Sequence, residues 1–237
     1  MSRIAKTTLV MAALSLILLP LSALGTRWEL FNFRIGLLLF MLATLTGLTS
    51  IVLSALYTRR QNDDKSRRTL NYAALLGLPA LAFFSLNLFS GGSTPMIHNV
   101  TTDPADPPKF VAAPAQRGPG TNPLEYTPEL AEIQRSAYPE LQTLTTELSA
   151  AEAFQLALAT AKRQGWEVYL KDEQNYQIEA VATTRWFGFK DDVVIRVTNS
   201  GSGSEVDLSS VSRVGKGDLG ANARRILSFI QDFKAEL

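Results

Sequence analysis

The chain of 237 residues has no cysteine and a single histidine, His98. The first absence excludes disulfides, thiolate catalysis and cysteine-based zinc sites, and the second leaves no histidine-rich metal centre. Charge is scarce in one half. Residues 1–96 hold only twelve charged side chains, nine Lys or Arg and three Asp or Glu, whereas the remainder holds 14 basic and 19 acidic residues. The overall net charge of +1 and mean hydropathy of +0.06 therefore average a basic apolar region at +6 and an acidic one at −5. A fully soluble protein is excluded, and so is a general nucleic-acid binder, because the half large enough to form a domain would repel phosphate.

What fills the first region is uncharged apolar sequence. Three runs, residues 7–24, 35–57 and 70–89, are long enough to cross a bilayer as helices. The second is the clearest, since its 23 residues reach about 34 Å at 1.5 Å per residue. The first run is either a membrane span or a signal peptide; its 18 residues exceed the usual signal-peptide core, and we read it as a retained span. Gly77 and Pro79 interrupt the third run without preventing a span, because neighbouring helices can satisfy freed backbone groups. None of the runs contains Asp, Glu, Lys, Arg or His, which argues against a proton relay or transporter.

Positive charge sets the expected orientation. Arg59, Arg60, Lys65, Arg67 and Arg68 crowd the connection between the second and third runs, against Arg27 and Arg34 between the first and second. Cytoplasmic loops retain Lys and Arg, so the N-terminus is expected inside and the acidic C-terminal domain outside, as in a bacterial inner-membrane protein with a periplasmic domain.

Nine of the 11 prolines lie from Pro95 to Pro139. Residues 97–148 are accordingly expected to be extended rather than helical, wrapping the domain that follows with Phe110, Leu124, Tyr126 and Tyr138. In that domain, 149–237, Ser149 and Glu152 have the spacing of a capping box, and Phe154, Ala157, Leu158 and Ala161 share a helical face. Strands are expected at 166–171, 176–183, 191–198 and 205–212, with Asn199–Ser204 as a hairpin loop. A final helix from near Asp218 aligns Leu219, Asn222, Ala223, Ile226, Phe229, Ile230 and Phe233. The fold class is therefore α+β: a three-helix transmembrane anchor, then a four-stranded antiparallel sheet flanked by two helices on one face.

The stretch Ser212–Arg225 is the candidate ligand site. Gly215, Gly217 and Gly220 permit close backbone approach before a helix start, and Arg213, Lys216, Arg224 and Arg225 add positive charge nearby, a setting that suits an anion. Its spacing matches neither a P-loop nor a dinucleotide fingerprint. The competing reading makes the glycines a tight turn and Asp218 an N-cap. Asn222 falls on the apolar stripe and must find partners. Asp191 and Asp192 are candidate acidic residues, but neighbours on a strand point to opposite faces, so structural pairing with Arg213 or Arg196 is preferred over an acid/base pair. Trp186, Phe187 and Phe189 are read as core, with an exposed apolar tip towards lipid or a partner as the alternative.

The runs RWFGFKDDVVIRV and EVDLSSVSRVGKGDLGANARRI, with the earlier HNVTTDPADPPKF, resemble the domain-of-unknown-function family numbered 1499 over residues 97–237. The resemblance implies an extracytoplasmic or organelle-targeted domain without established activity. It singles out the glycine-rich turn with Asp191, Asp192, Arg213, Asp218 and Asn222. One departure is Ser209, where the family pattern leads us to expect an arginine.

Together these readings describe a membrane-anchored accessory protein. Its expected partners, besides the bilayer, are an envelope protein or a small anionic ligand, with no cofactor, no metal and no nucleic acid. An enzyme acting on an anionic substrate at the Gly215–Gly220 turn is the alternative.

Overall fold

A computed structural model describes residues 1–91 and 94–237. It divides into two compact units, one made of the N-terminal helices and the stretch Arg185–Gly188, the other of the remaining described residues from Thr94 onward.

The first unit contains helices α1 (Arg3–Arg27), α2 (Phe33–Tyr57) and α3 (Asp64–Gly91), with a 3-10 turn at Thr58–Arg60. All three are long and apolar enough to cross a membrane. They outrun the apolar segments because their starts are capped by polar residues beyond them. The Ser2 hydroxyl accepts from the Ala5 amide and the Asn32 side chain from that of Arg34.

Small residues line the inside of the bundle, including Ala12, Ser15, Ala43, Ser50 and Ala73, while Val10, Leu38, Leu75 and Leu86 face outward. This inverts the pattern of a soluble helical bundle and suits lipid, where close backbone packing and hydrogen bonds hold helices together. Ser15 donates to the Ala43 carbonyl at 2.7 Å, Ser54 to that of Leu70 at 2.7 Å, and Ser50 to that of Ala73 at 3.2 Å. Where α2 and α3 approach closely, a Cβ placed on Gly47 would lie 2.7 Å from the Gly77 carbonyl oxygen.

The second unit is built on an antiparallel sheet. Strands β3 (Glu167–Asp172), β4 (Gln177–Thr183), β5 (Lys190–Ser200) and β6 (Gly203–Ser212) form the expected meander. The sheet has six strands rather than four. Two further strands, β1 (Asn99–Thr101) and β2 (Leu144–Thr146), pair side by side along the outer edge of β6, at Ser209–Val211 and Ser204–Val206. Three-residue strands show no alternation in sequence, and an edge strand's exposed amides and carbonyls are what recruits them. The hairpin between β5 and β6 is also tighter than the sequence suggested, turning at Gly201 and Ser202.

Helices α6 (Ala150–Arg163) and α7 (Ala221–Lys234) cover one face of this sheet. The capping box at Ser149 and Glu152 forms, and Phe154 and Leu158 of α6 meet Ile178, Val193, Ile195, Leu208, Ile226 and Phe229 in one core. Leu219 lies outside α7 and is exposed, because the chain there is left-handed, with φ of 53° at Leu219 and 77° at Gly220, before the helix begins.

The proline-rich segment is not wholly extended. It contains one turn of helix, α4 (Ala113–Gln116), and a ten-residue helix, α5 (Pro128–Ala137). Proline starts helices as readily as it breaks them. Pro128 occupies the first turn, where its missing N–H is not needed, and the Thr127 hydroxyl accepts from the Leu130 amide.

The aromatic segment between β4 and β5 departs from its expected place in the core. Trp186 is 59% exposed, and Phe187 and Phe189 are only partly buried. The strands end at Thr183 and resume at Lys190, so these rings stand on a hairpin loop beyond the sheet face that could have buried them.

Candidate functional site

Asp191 and Asp192 lie at the start of β5 and face opposite sides of the sheet, and a separate polar cluster has formed around each. On the helix side, the Asp191 carboxylate accepts from Arg225 of α7 at 2.5 Å. Arg225 also donates to the Ser210 hydroxyl at 2.9 Å and to the Asn222 side-chain oxygen. Asn222 is fully buried, yet nothing in it is wasted: its Oδ1 accepts from Ser210 at 2.7 Å, and its Nδ2 donates to Ser212 Oγ at 2.9 Å and the His98 carbonyl at 3.2 Å. The amide thus ties α7 to β6 and to the residue preceding β1.

The start of α7 explains the glycine-rich turn. One Asp218 oxygen accepts from the Gly220 amide at 2.8 Å and the other from the Asn222 amide at 2.6 Å. This carboxylate therefore takes two of the amides that an incoming anion would need. Gly215 and Gly220 have φ of 90° and 77°, conformations open to glycine. Lys216 is exposed and joins no ion pair among the described residues. Gly217 packs close to Met96.

On the opposite face, the fully buried Asp192 is held by two arginines. Arg213 reaches it through Nε at 3.0 Å and Nη2 at 2.7 Å, and Arg117 through Nη1 at 2.6 Å. Hydrogen bonding to Asp192 holds the Arg213 guanidinium above its ordinary pKa, whereas burial lowers that of Arg117. Arg196 pairs instead with Asp207, Asp103 and Asp106. The turn is fastened from the same side by Asn122, whose Nδ2 donates to the carbonyls of Ser212 and Gly215 at 2.9 and 2.7 Å.

A third cluster surrounds Glu179 in the middle of β4. Its carboxylate is fully buried and accepts from the backbone amides of Val111, Ala112 and Ala113, with Gln177 and the Tyr169 hydroxyl completing the shell. Burial, with the nearby negative charges of Asp192 and Glu179, pushes the Tyr169 hydroxyl pKa upward.

The structure therefore brings Asn222 together with Asp191 through Arg225, and Arg213 directly onto Asp192, where Arg117 joins it. It does not bring the two aspartates to a common point. Arg225 is expected from the sequence as positive charge beside the turn, not as the partner of Asp191, and Arg117, Asn122 and Glu179 have no place in the sequence reading. Arg117 and Asn122 fall in proline-rich sequence without periodicity, and Glu179 occupies the strand face that alternation alone assigns to solvent. Ser209 packs against β1, donating to Thr101 Oγ1 at 2.8 Å. Among the described residues, no group of three or more His, Cys, Asp or Glu is arranged to hold a metal.

Comparison with protein families matches residues 99–233 to the family described as protein of unknown function, DUF1499. No curated protein matches the chain. The matched region runs from β1 into the last turn of α7 and takes in all six strands and the three polar clusters, so the chain belongs to the DUF1499 family.

Proposed function

We propose that this protein is a membrane-anchored, non-enzymatic accessory protein whose C-terminal domain binds a partner on the extracytoplasmic side. One observation carries the non-enzymatic reading: Asp191, Asp192, Arg213, Asp218 and Asn222 all spend their hydrogen-bonding capacity on one another's neighbours. A general acid or base must be free to exchange a proton with substrate, and an anion site must offer unpaired donors. Here those groups lock the covering segment, the sheet and α7 into one body.

The extracytoplasmic placement is supported by the five Lys and Arg between the second and third apolar runs, which the positive-inside rule keeps in the cytoplasm. The alternating crossings then carry the C-terminal domain out. Protease added to intact spheroplasts is expected to cut that domain; protection until lysis would reverse the orientation. Crosslinking of the full chain in its membrane, followed by affinity capture, is expected to retain a specific partner. Turnover of an anionic substrate abolished by D191N or D218N would overturn the non-enzymatic reading.

A further inference from the structure

On the sheet face away from α6 and α7, a groove of about 390 Å³ opens between the β1–β6 edge and the proline-rich segment. That size lies within the roughly 300–1,000 Å³ of small-molecule sites. Its floor includes Asn99, 1% exposed, and Ser209, 3% exposed; Phe110 and Tyr126 form part of its walls.

The Asn99 amide is half used. Its Nδ2 donates to the Leu124 and Glu125 carbonyls at 3.2 and 3.3 Å, while its buried Oδ1 has no hydrogen-bond partner. Rotating the amide would turn that oxygen against two carbonyls, so the orientation is set and the free group is an acceptor. Buried acceptors are nearly always paired, which makes this orphan a signal for a donor the protein does not supply.

The neighbouring hydroxyls point the same way. Ser209 spends its hydrogen on Thr101 Oγ1 at 2.8 Å and Tyr126 spends its own on Gln134 Oε1 at 2.9 Å, leaving oxygen lone pairs as further acceptors. Lys109 and Glu125, both exposed, also line the groove and carry opposite charge, so neither an anion nor a cation is favoured.

We propose that this groove binds the ring of a neutral sugar, with a hydroxyl or acetamido N–H donating to Asn99 Oδ1 and the apolar ring face lying on Phe110 or Tyr126. Acceptors beneath aromatic walls suit a compound that is rich in donors, uncharged and apolar on one face. The inference rests on the reading of this domain as a binding module and names its ligand class.

The test uses the full chain in lipid nanodiscs, free of sugar-headed detergent. Glucose, N-acetylglucosamine and its β-1,4-linked tetramer are titrated by calorimetry and saturation-transfer NMR, beside inorganic phosphate and choline. Binding of a neutral sugar is expected, with phosphate and choline inert; a tetramer much tighter than the monomer identifies a polymer as the source, and equal affinities a free sugar. F110A is expected to weaken binding about tenfold while the melting temperature holds. N99L removes the acceptor and is expected to abolish binding; because it also releases Leu124 and Glu125, F110A remains the deciding variant if N99L fails to fold. Absence of sugar binding, preference for phosphate or choline, or affinity unchanged in F110A overturns the proposal. If sugars fail while crosslinking still captures a protein partner, the sugar site falls and the binding-module reading stands; if capture also fails, both fall.

Discussion

Arg213 grips Asp192 through two hydrogen bonds, Nε to Oδ2 at 3.0 Å and Nη2 to Oδ1 at 2.7 Å. The forked geometry uses both carboxylate oxygens and leaves Oδ2 room for Arg117 from the covering segment. D192N would strand two arginines in a site where the carboxylate is wholly buried. Breaking such a pair typically costs about 3–5 kcal/mol. Thermal unfolding of the full chain in detergent is expected to show a markedly lower midpoint, and an unchanged midpoint would mean that the arginines are satisfied elsewhere.

Glu179 replaces the missing helix partners of three consecutive amides, at Val111, Ala112 and Ala113. E179Q removes the charge and turns an amide group toward those donors. Each charge-assisted bond contributes about 1.5–3 kcal/mol. Hydrogen exchange at residues 111–113 is expected to quicken at least about tenfold, with little change in α6; exchange that stays slow would show that the segment is held by other contacts.

Asn222 distinguishes a structural amide from a ligand-binding one. N222L strands Ser210, Ser212 and Arg225 and is expected to destabilise the protein by about 2–4 kcal/mol. Loss of ligand binding with melting unchanged would instead assign the amide to recognition.

His98 provides a pH signature. Burial lowers its pKa from the ordinary 6.5; Arg117 adds to the effect, while the Pro123 carbonyl and Asp218 oppose it. Since the folded state favours neutral imidazole, the unfolded chain takes up its proton first on acidification. The contribution is therefore complete above about 6.5 and is lost as the pH falls from there through the lower folded value. H98Q is expected to flatten the slope of melting temperature between about pH 7.5 and 5.5. An identical slope in wild type and variant would remove His98 as its source.

In the membrane unit, Gly47 sets the spacing of α2 and α3. G47I would drive a branched side chain into the Gly77 carbonyl and Ser15 Oγ, each 2.7 Å from a Cβ at that position. The bundle is expected to loosen, read as faster intramembrane proteolysis or a lower unfolding midpoint in detergent. Unchanged behaviour would show that the helices can separate without penalty.

Local rules made much of the chain legible. The apolar runs identified three helices because a span must satisfy its backbone within itself and face lipid with apolar side chains. Ser149 and Glu152 marked a helix start because capping is a contact between residues three apart. Alternation placed the four meander strands and put Asp191 and Asp192 on opposite faces. The same reasoning failed for Trp186, Phe187 and Phe189, whose apolar character says nothing about whether a hairpin loop overhangs the sheet.

By itself, then, the sequence determined the apolar helical anchor, the meander with its two covering helices, and the need for Asn222 to find partners. Only the tertiary structure decided which groups meet: Ser210, Ser212 and Arg225 for Asn222, Arg225 for Asp191, Arg117 with Arg213 for Asp192, and three backbone amides for Glu179. It also decided that β1 and β2 close the edge of β6, and that Asn99 is left with an unanswered acceptor. The physical reason is range. Periodicity and capping act over a few residues along the chain, whereas buried charges must be matched by groups from segments tens of residues away, whose meeting depends on the fold as a whole.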